Sequence, residues 1–439
     1  MHEAKRLAVT TLGCKVNQYD TDSVVTQFLD AGYRVVDFQD VADVYLINTC
    51  TVTNLGDRKS RQMIRRAHKR NPNAKVVVMG CLAQTAPEDV AALEGVTLVV
   101  GTDGRSRILE QVEALGQGEQ RSLVDDIFQV SEFEDLPSLD FSGRTRATLK
   151  IQDGCDQFCT YCRVPFARGP SRSRAPESVL EQAEQIISLG YKEIVLTGIH
   201  LGLYGADLVP PLTLAAIAGK IADIQGLLRL RISSVDPHEV TEELIELAAG
   251  HPAVCRHLHI PLQSGSDAVL KRMKRSYTSR QFLDVVDTLR AKVPGIAITT
   301  DIMVGFPGET EADFLETLEV ARQAEFSKIH VFQYSKRAGT AAARFPGQIP
   351  SREKEDRSKR LIHAGEAMSE RFHYSFIGQN VDVLVEQLQE GHAVGHTDNY
   401  VKVVFPVQDD RDLVGEIVPV QVLEADSAGV TGRLLGKKG

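Results

Sequence analysis

Apolar strand-like runs alternate with helix-like segments over most of this chain, and this alternation restricts the fold more than any other feature. Between residue 6 and about residue 115, short apolar runs at 7–11, 43–47 and 75–79 are separated by segments with a helical pattern. Strands that are apolar throughout and joined through helices are typical of parallel sheets covered on both faces. The pattern therefore predicts an α/β unit with a doubly wound parallel sheet over residues 5–116.

The rest of the chain divides into three parts by the same criterion. Residues 117–142 are polar and acidic without a clear period, which indicates a linker. Six more strand-helix units fill residues 143–372 and predict a partial, open (β/α)6 barrel rather than a closed one of eight strands. Short strands separated by turns over residues 375–438 predict a small all-β barrel of five strands. The predicted strands of the central barrel begin near Ala147, Glu193, Leu228, His257, Ile296 and Lys328.

The formal net charge of -9 limits the partners that the surface can attract. It argues against a protein that coats duplex DNA with positive charge, although local basic patches on an acidic chain can still bind RNA phosphates. No apolar run is long enough to span a bilayer, and the first residues lack the apolar core of a signal peptide. We therefore expect a cytoplasmic protein that has neither a membrane nor DNA as a partner.

Seven cysteines in a chain of this length do not match the short, even-numbered disulfide frameworks of secreted proteins. Cys155, Cys159 and Cys162 lie within eight residues, just after the first strand of the predicted central barrel. Three thiolates can bind three corners of a four-iron, four-sulfur cluster and leave the fourth iron open to an external molecule. This spacing, with Tyr161 before the last cysteine, resembles the radical S-adenosylmethionine superfamily. The alternatives are a zinc site that lacks a fourth ligand, or simple buried thiols.

Three other cysteines are scattered in the sequence, but each follows a predicted strand. Cys14, Cys50 and Cys81 stand where strands of the N-terminal unit end, and the ends of parallel strands meet at one edge of a sheet. We therefore expect them to converge on a second cluster with an open iron, the alternative being buried core cysteines. Cys255 is left over and is predicted to be structural. A zinc site of Cys255 with His251, His257 and His259 is less favoured than a pocket wall, because the last two histidines alternate with apolar residues on a strand.

The carboxyl ends of the predicted barrel strands supply candidate contacts to S-adenosylmethionine, because barrels of this kind build their sites there. The second strand ends in a glycine that lets the backbone approach a ligand, and in the superfamily this place contacts the methionine amine. The predicted cofactor-binding residues are Tyr161, Thr197, Gly198, His200, Ser233, Ser234, Gln263 and Asp301.

Two basic segments flank the predicted clusters and are candidate RNA contacts. One is the helical segment after Cys50, and the other is the loop after Cys162. A local excess of arginine on an acidic protein favours phosphate binding, although a solvated helix face or pairing with nearby carboxylates would explain it too. The predicted RNA-binding residues are Arg58, Lys59, Arg61, Arg65, Arg66, Arg172 and Arg174.

Nearly the whole chain closely resembles the methylthiotransferase family of radical enzymes, whose C-terminal barrel is called TRAM. The segment at 11–20, which reads TLGCKVNQYD, looks most like the branch that acts on threonylcarbamoyladenosine in tRNA. The segments NTCTVTN at 48–54 and TGIHLG at 197–202 agree with this branch. Rival branches act on isopentenyladenosine in tRNA or on an aspartate of a ribosomal protein. Outside this family, an RNA-binding iron-sulfur redox sensor and a zinc-stabilised RNA module remain open.

The resemblance implies two four-iron, four-sulfur clusters with different tasks. Cys155, Cys159 and Cys162 would hold the radical cluster, and Cys14, Cys50 and Cys81 would hold an auxiliary cluster that delivers sulfur. One S-adenosylmethionine would supply a methyl group and another a 5′-deoxyadenosyl radical, so that methylthio replaces hydrogen on carbon 2 of the adenine. The implied partners are a tRNA with a modified adenosine beside the anticodon and an electron donor of the flavodoxin or ferredoxin kind.

Overall fold

The structure is a computed structural model that describes residues 4–51, 54–136, 144–407 and 413–436. A six-stranded parallel sheet in the order β2-β1-β3-β4-β5-β6 forms the N-terminal unit. Its strands are β1 Arg6–Thr11, β2 Arg34–Val36, β3 Val44–Thr49, β4 Lys75–Gly80, β5 Val96–Val100 and β6 Arg121–Leu123. Its helices are α1 Lys15–Asp30, α2 Asn54–Arg70, α3 Cys81–Thr85, α4 Pro87–Ala91 and α5 Ile108–Ala114. Apolar clusters cover both faces of this sheet, as a doubly wound arrangement requires.

The structure differs from the predicted linker at β6. Arg121–Leu123 extend the N-terminal sheet, where Leu98 pairs with Arg121 and Val100 with Leu123 in parallel register. This strand is short and half polar, so its composition alone resembles a loop. The part of the predicted linker at 137–142 lies outside the described residues.

The central unit contains six parallel strands in one open layer, which confirms the predicted partial barrel. Two three-stranded sheets, β11-β10-β7 and β12-β13-β14, are joined by isolated parallel bridges from Leu230 to Val254 and from Ser234 to His259. The strands, with a small hairpin of β8 and β9, are β7 Ala147–Lys150, β8 Gln152–Asp153, β9 Arg172–Ser173, β10 Glu193–Thr197, β11 Arg229–Ile232, β12 His257–His259, β13 Ala297–Val304 and β14 Lys328–Gln333. The helices are α6 Val164–Arg168, α7 Pro176–Ser188, α8 Leu214–Ala222, α9 Glu242–Gly250, α10 Asp267–Met273, α11 Ser279–Lys292, α12 Glu311–Ala324 and α13 Ser351–Tyr374.

A closed five-stranded barrel in the order β15-β16-β17-β19-β18 forms the C-terminal unit, as predicted. Its strands are β15 Asn380–Gln389, β16 His392–His396, β17 Lys402–Pro406, β18 Ile417–Asp426 and β19 Gly429–Leu434. Closure leaves no unpaired strand edge, and alternate valines fill the interior. Arg229 and Arg231 of the central barrel donate to backbone carbonyls of this unit, including those of Asp382 and Asp398, and so fix it to the central layer. Within the described ranges, no helix is both long and apolar enough to cross a membrane.

Candidate functional site

The loop of Cys155, Cys159 and Cys162 lies between β8 and α6, beyond the carboxyl end of β7. A tight backbone crossing positions its start: Gly154 has a φ of 79°, and a Cβ there would stand 1.8 Å from the carbonyl oxygen of Pro170. Only glycine fits this position without moving the backbone. Cys159 is buried, and Cys155 and Cys162 are half-buried residues.

Each of the three sulfurs has a polar neighbour that can donate to a thiolate. His200 Nδ1 lies 3.5 Å from Cys155 Sγ, Arg275 Nη1 donates to Cys159 Sγ at 3.4 Å, and the backbone N–H of Val164 donates to Cys162 Sγ at 3.4 Å. Hydrogen bonds to ligand sulfurs are the usual outer-shell support of an iron-sulfur cluster. The donor set therefore fits a cluster that is held by three thiolates.

The sulfurs are too widely spread for a single zinc ion. Among the described residues, neither cysteine triplet forms a group whose ligand atoms all lie within 4.8 Å of one another. Zinc bonds of about 2.3 Å would bring tetrahedral sulfurs to about 3.8 Å from one another.

Burial raises the pKa of Cys162 to about 12, which disfavours the thiolate in the protein alone. A bound metal would reverse that preference, because a coordinating thiol is deprotonated.

The structure brings Cys14, Cys50 and Cys81 together at the carboxyl edge of the N-terminal sheet. Cys14 precedes α1, Cys50 follows β3, and Cys81 opens α3 directly after β4. Asn17 Oδ1 lies 3.9 Å from the sulfurs of both Cys14 and Cys81, and a Cβ on Gly13 would stand 3.2 Å from the Cys50 sulfur. The topological argument for their convergence therefore agrees with the observed placement.

Burial and mutual repulsion keep the thiol of Cys81 protonated in the protein alone. Burial raises its pKa to about 12, the neighbouring Arg168 opposes this rise, and Cys14 and Cys50 add to it. Three thiolates here would repel one another unless a cation stood between them. The N-terminal triplet therefore also fits a metal cluster.

A buried ion cluster joins the two cysteine sites. Arg168 of α6 pairs with Asp153 Oδ2 at 2.9 Å and with Asp20 Oδ2 of α1 at 2.8 Å, and its Nη2 donates to Asn17 Oδ1 at 2.6 Å. Lys150 bridges the same two carboxylates at 2.8 and 2.6 Å. All of these side chains are buried. Because Asp20 and Asn17 belong to α1, the cluster fixes the N-terminal cysteines relative to the radical loop.

Gln152 organises the loop after β10 and was missed by the sequence reasoning. Its Oε1 accepts hydrogen bonds from the backbone N–H groups of Ile199 and His200 at 3.0 and 2.8 Å, while its Nε2 donates to the carbonyl of Gly154 at 2.8 Å. The predicted contact residue Gly198 lies against it, since a Cβ there would be 2.9 Å from Gln152 Oε1. No motif in the sequence marks this glutamine, because its partners Ile199 and His200 are more than forty residues away.

His200 connects the radical loop to an acidic pair. Its Nε2 lies 2.6 Å from Glu239 Oε1 and 3.7 Å from Asp236 Oδ2. Burial alone would lower its pKa, but Cys155 and Glu239 outweigh burial and raise the pKa to about 10. Asp236 also pairs with Arg275 Nη2 at 2.5 Å, so one carboxylate pair supports the groups beside Cys155 and Cys159.

The other predicted cofactor contacts occupy strand ends of the same layer. Thr197 is buried at the end of β10, and Ser233 Oγ is a buried polar atom without a hydrogen-bond partner among the described residues. Ser234 forms a bridge to His259, and Gln263 has a left-handed φ of 61°. The remaining two are Tyr161, whose ring packs against Phe306, and Asp301, which lies 3.4 Å from His259 Nε2. Their contact with S-adenosylmethionine stays a prediction.

The two predicted RNA-binding segments differ in exposure. Arg58, Lys59, Arg65 and Arg66 are exposed along α2, and Arg61 is partly exposed beside Asp89. A shallow groove of about 640 Å³ is lined by Arg58, Arg61, Gln62, Arg65, Arg66 and Lys69. Their role in binding RNA stays a prediction.

Arg172 and Arg174, the predicted RNA contacts of the second segment, are buried. Arg172 is buried and donates to the carbonyl of Pro170 at 3.1 Å, and Arg174 is buried and pairs with Asp135 Oδ1 at 2.6 Å. These contacts hold the loop after the radical site in place. A role of the two arginines in binding RNA stays a prediction.

Cys255 and its neighbouring histidines contact other protein groups of the central layer. Cys255 is buried, and burial raises its pKa to about 12. His257 and His259 point to the same hydroxyl, Thr299 Oγ1, at 3.2 and 2.9 Å. Among the described residues, these cysteine and histidine atoms do not form a group spaced for a single ion.

Comparisons with known proteins agree with this architecture. Family models match as "Radical SAM superfamily" over residues 149–321, "Uncharacterized protein family UPF0004" over residues 6–101 and "TRAM domain" over residues 375–435. A radical S-adenosylmethionine methyltransferase, TsrM from Kitasatospora setae, has a solved structure with a TM-score of 0.57 and 17% identity, over 75% of each chain. At that identity the likeness shows the fold alone. Fold and site together define a radical S-adenosylmethionine enzyme.

Two curated relatives indicate which kind of radical S-adenosylmethionine enzyme this chain is similar to. The chain is 44% identical to "Threonylcarbamoyladenosine tRNA methylthiotransferase MtaB" of Bacillus subtilis (strain 168), over 95% of this chain and 94% of the relative. It is 34% identical to "tRNA-2-methylthio-N(6)-dimethylallyladenosine synthase" of Thermoanaerobacter sp. (strain X514), over 97% and 92%. The chain belongs to the family of tRNA methylthiotransferases, which confirms the resemblance and, with it, the enzyme class and cofactor types that it implied.

Proposed function

We propose that this protein adds a methylthio group to carbon 2 of N6-threonylcarbamoyladenosine beside the anticodon of tRNA. The observation that carries the proposal is the pair of cysteine triplets, which lie at the carboxyl edges of two parallel sheets and are joined by one buried ion cluster. The relative with 44% identity supports the choice of substrate. We expect the protein in the cytoplasm, because its proposed substrate, tRNA, is found there.

The residues present fit two iron-sulfur clusters and S-adenosylmethionine. When bound at Cys155, Cys159 and Cys162, the cluster supplies the electron that makes S-adenosylmethionine a source of carbon radicals, which an unactivated aromatic C–H bond requires. Cys14, Cys50 and Cys81 would hold the sulfur-donating cluster. Ser233 Oγ, which has no partner among the described residues, is available to the cofactor.

Side chains of this protein then position and shield the reacting groups. His200 and Arg275 stabilise negative charge on the sulfurs of Cys155 and Cys159, and Glu239 and Asp236 hold these two donors in place. Gln152 couples the radical loop to the end of β10. The buried ion cluster around Arg168 keeps α1, and with it Cys14, at a fixed distance from the radical loop.

Binding of tRNA is assigned to α2 and to the C-terminal barrel. The exposed arginines of α2 begin a few residues after Cys50, so phosphates bound there would place RNA beside the auxiliary site. Small barrels of the C-terminal kind bind single-stranded nucleic acid on one face. The electron donor, of the flavodoxin or ferredoxin kind, stays a prediction.

Mass spectrometry of tRNA nucleosides tests the proposed substrate. A strain that lacks the native methylthiotransferases is complemented with this protein, and the methylthio form of threonylcarbamoyladenosine is expected to appear. The matched control carries Cys159→Ala and is expected to yield none. Appearance of only the methylthio form of isopentenyladenosine would assign the protein to the other branch, and the absence of both products would refute the proposal.

A further inference from the structure

The inner side of the central strands carries basic and aromatic groups that the cluster sites do not use. His257 and His259 share Thr299 Oγ1, and the ring of His259 lies 5.8 Å from that of His330 on β14. His257 is buried, and its Nδ1 has no hydrogen-bond partner among the described residues. We call these side chains, with Lys15, Arg231 and Tyr400, the cationic group. Buried polar atoms usually have a hydrogen-bond partner, so His257 Nδ1 is a candidate contact for a polar ligand.

The C-terminal barrel contributes Tyr400 to the cationic group. This residue has a left-handed φ of 66°, and its ring lies 5.1 Å from that of His257. The guanidinium groups of Arg231 and Arg146 lie over the same ring at 4.6 and 5.1 Å from its centroid. The second of these arginines precedes β7 and His330 lies on β14, so the cationic group draws on both ends of the open layer.

The N-terminal domain contributes Lys15, which directly follows Cys14, to these basic side chains. Its ammonium interacts electrostatically with Tyr400, Arg146 and Arg231, and also with His257 and His330, so it belongs to the same group of charges. The residue is exposed to solvent, so a ligand can reach its ammonium group.

The arginines of this group have carboxylate partners, but Lys15 does not. Arg231 pairs with Glu193 at 2.7 Å, and Arg146 pairs with Glu386 at 3.0 Å. Over the ranges that the structure describes, no carboxylate oxygen lies within 4.0 Å of Lys15 Nζ. Glu193 acts on Lys15 from beyond ion-pair distance and beside Arg146 and Arg231, so an anionic ligand can form the direct ion pair that the ammonium lacks.

We propose that Lys15 binds the carboxylate of the threonylcarbamoyl group of the substrate and thereby selects this base over hydrocarbon-modified adenosines. The inference rests on the proposed function and deepens it. Lys15 adjoins Cys14 at the site assigned to sulfur delivery, and the N6 substituent belongs to the same purine whose carbon 2 must reach that site. The hydroxyl and ureido groups of the substituent match the imidazoles of His257 and His259, which can donate or accept.

The same chemistry disfavours an isopentenyl group. That group has no hydrogen-bonding atoms, so it would cover Lys15 and His257 Nδ1 without replacing the water they lose. Sites built to hydrogen-bond a substrate reject analogues that lack the partner group much more strongly than apolar pockets reject extra polar atoms.

Binding of anticodon stem-loop RNAs to the anaerobically reconstituted full-length protein tests the proposal. One RNA carries threonylcarbamoyladenosine, and a second carries its threoninamide analogue, which keeps the shape and loses the charge. Wild type is expected to bind the acid about tenfold more tightly than the amide, because a hydrogen-bonded ion pair is lost in the amide. Lys15→Met is expected to bind both RNAs equally and weakly, and Lys15→Arg to restore part of the preference. Lys220→Met, on the outer helix α8, is the matched control and is expected to behave as wild type.

Iron content and the ratio of the two affinities separate the possible results. If Lys15→Met lowers the affinity for the acid and for the amide by the same factor, the role of Lys15 is structural and the inference is overturned. An unchanged acid preference in that variant would overturn it as well. If Lys15→Met fails to retain iron, the question is decided by the ratio of the affinities for the acid and the amide RNA, measured in wild type and in Lys15→Arg. If wild type does not distinguish threonylcarbamoyladenosine from unmodified adenosine in binding or turnover, the proposed function itself fails.

Discussion

The two cysteine triplets are assembled in different ways. Cys155, Cys159 and Cys162 come from one loop, whereas Cys14, Cys50 and Cys81 come from the ends of three strands that topology brings together. The first site depends on local backbone shape and the second on the register of a whole sheet. Damage to the fold should therefore affect the auxiliary site before the radical site.

The largest expected effect follows from removing the radical triplet. Cys155→Ala/Cys159→Ala/Cys162→Ala is expected to lower iron from about eight to about four atoms per chain, because only one four-iron cluster then remains. Cleavage of S-adenosylmethionine to 5′-deoxyadenosine and methylthiolation should both fall to background. Anaerobic reconstitution with iron and sulfide analysis measures the first result, and chromatography of the products measures the second. Retention of wild-type iron and turnover would contradict the assignment of this loop.

The ion cluster between the two sites gives the next effect. Arg168→Met leaves the carboxylates of Asp20 and Asp153 buried with one partner fewer, and breaking a buried pair in this way destabilises a protein by about 3–5 kcal/mol. Urea unfolding of the iron-free protein measures the loss, and iron analysis should show that the N-terminal cluster is lost first. The control is Arg280→Met, an exposed arginine on α11, which should stay within about 0.5 kcal/mol of wild type. Equal stability of the two variants would show that the ion cluster around Arg168 does not hold the domains together.

A smaller effect is expected for the exposed arginines of α2. Arg58→Ala/Arg65→Ala/Arg66→Ala should weaken tRNA binding about tenfold and lower the slope of log affinity against log salt by about 2, because fewer counterions are released. The matched control removes three exposed arginines from helices of the central domain, namely Arg280, Arg322 and Arg352. Filter binding at several salt concentrations separates the two variants. An identical salt slope in both would mean that α2 is only a solvated helix face.

The smallest effect concerns the cysteine that belongs to neither triplet. Cys255→Ala is expected to keep full iron content and activity and to lower the free energy of unfolding by about 1 kcal/mol, through lost packing. Iron analysis beside urea unfolding checks both parts. Loss of iron in this variant would mean that the seventh cysteine takes part in a metal site.

The organisation of the fold was predictable where the signal is local or topological. Cys155, Cys159 and Cys162 follow from spacing, and the meeting of Cys14, Cys50 and Cys81 follows from the rule that parallel strands end at one edge. The three-residue strand β6 was missed because its residues are half polar and its pairing partner lies in a distant segment.

Contacts between distant segments were not predictable from one sequence. Arg172 and Arg174 resemble an RNA-binding loop in composition, and only the fold shows that they are buried beside a carbonyl and a carboxylate. Gln152, Asn17 and Glu239 support the cysteine sites through partners far away in the chain, so no spacing marks them. Patterns therefore identified the ligand candidates, whereas the side chains that orient them required the structure.

The most direct test of two separate sites is the auxiliary variant Cys14→Ala/Cys50→Ala/Cys81→Ala, assayed after anaerobic reconstitution with S-adenosylmethionine and tRNA that carries threonylcarbamoyladenosine. We expect about four iron atoms per chain, continued formation of 5′-deoxyadenosine and no methylthio product, because only sulfur delivery is lost. Methylthiolation at the wild-type level, or a folded variant that has lost 5′-deoxyadenosine formation, would contradict the account.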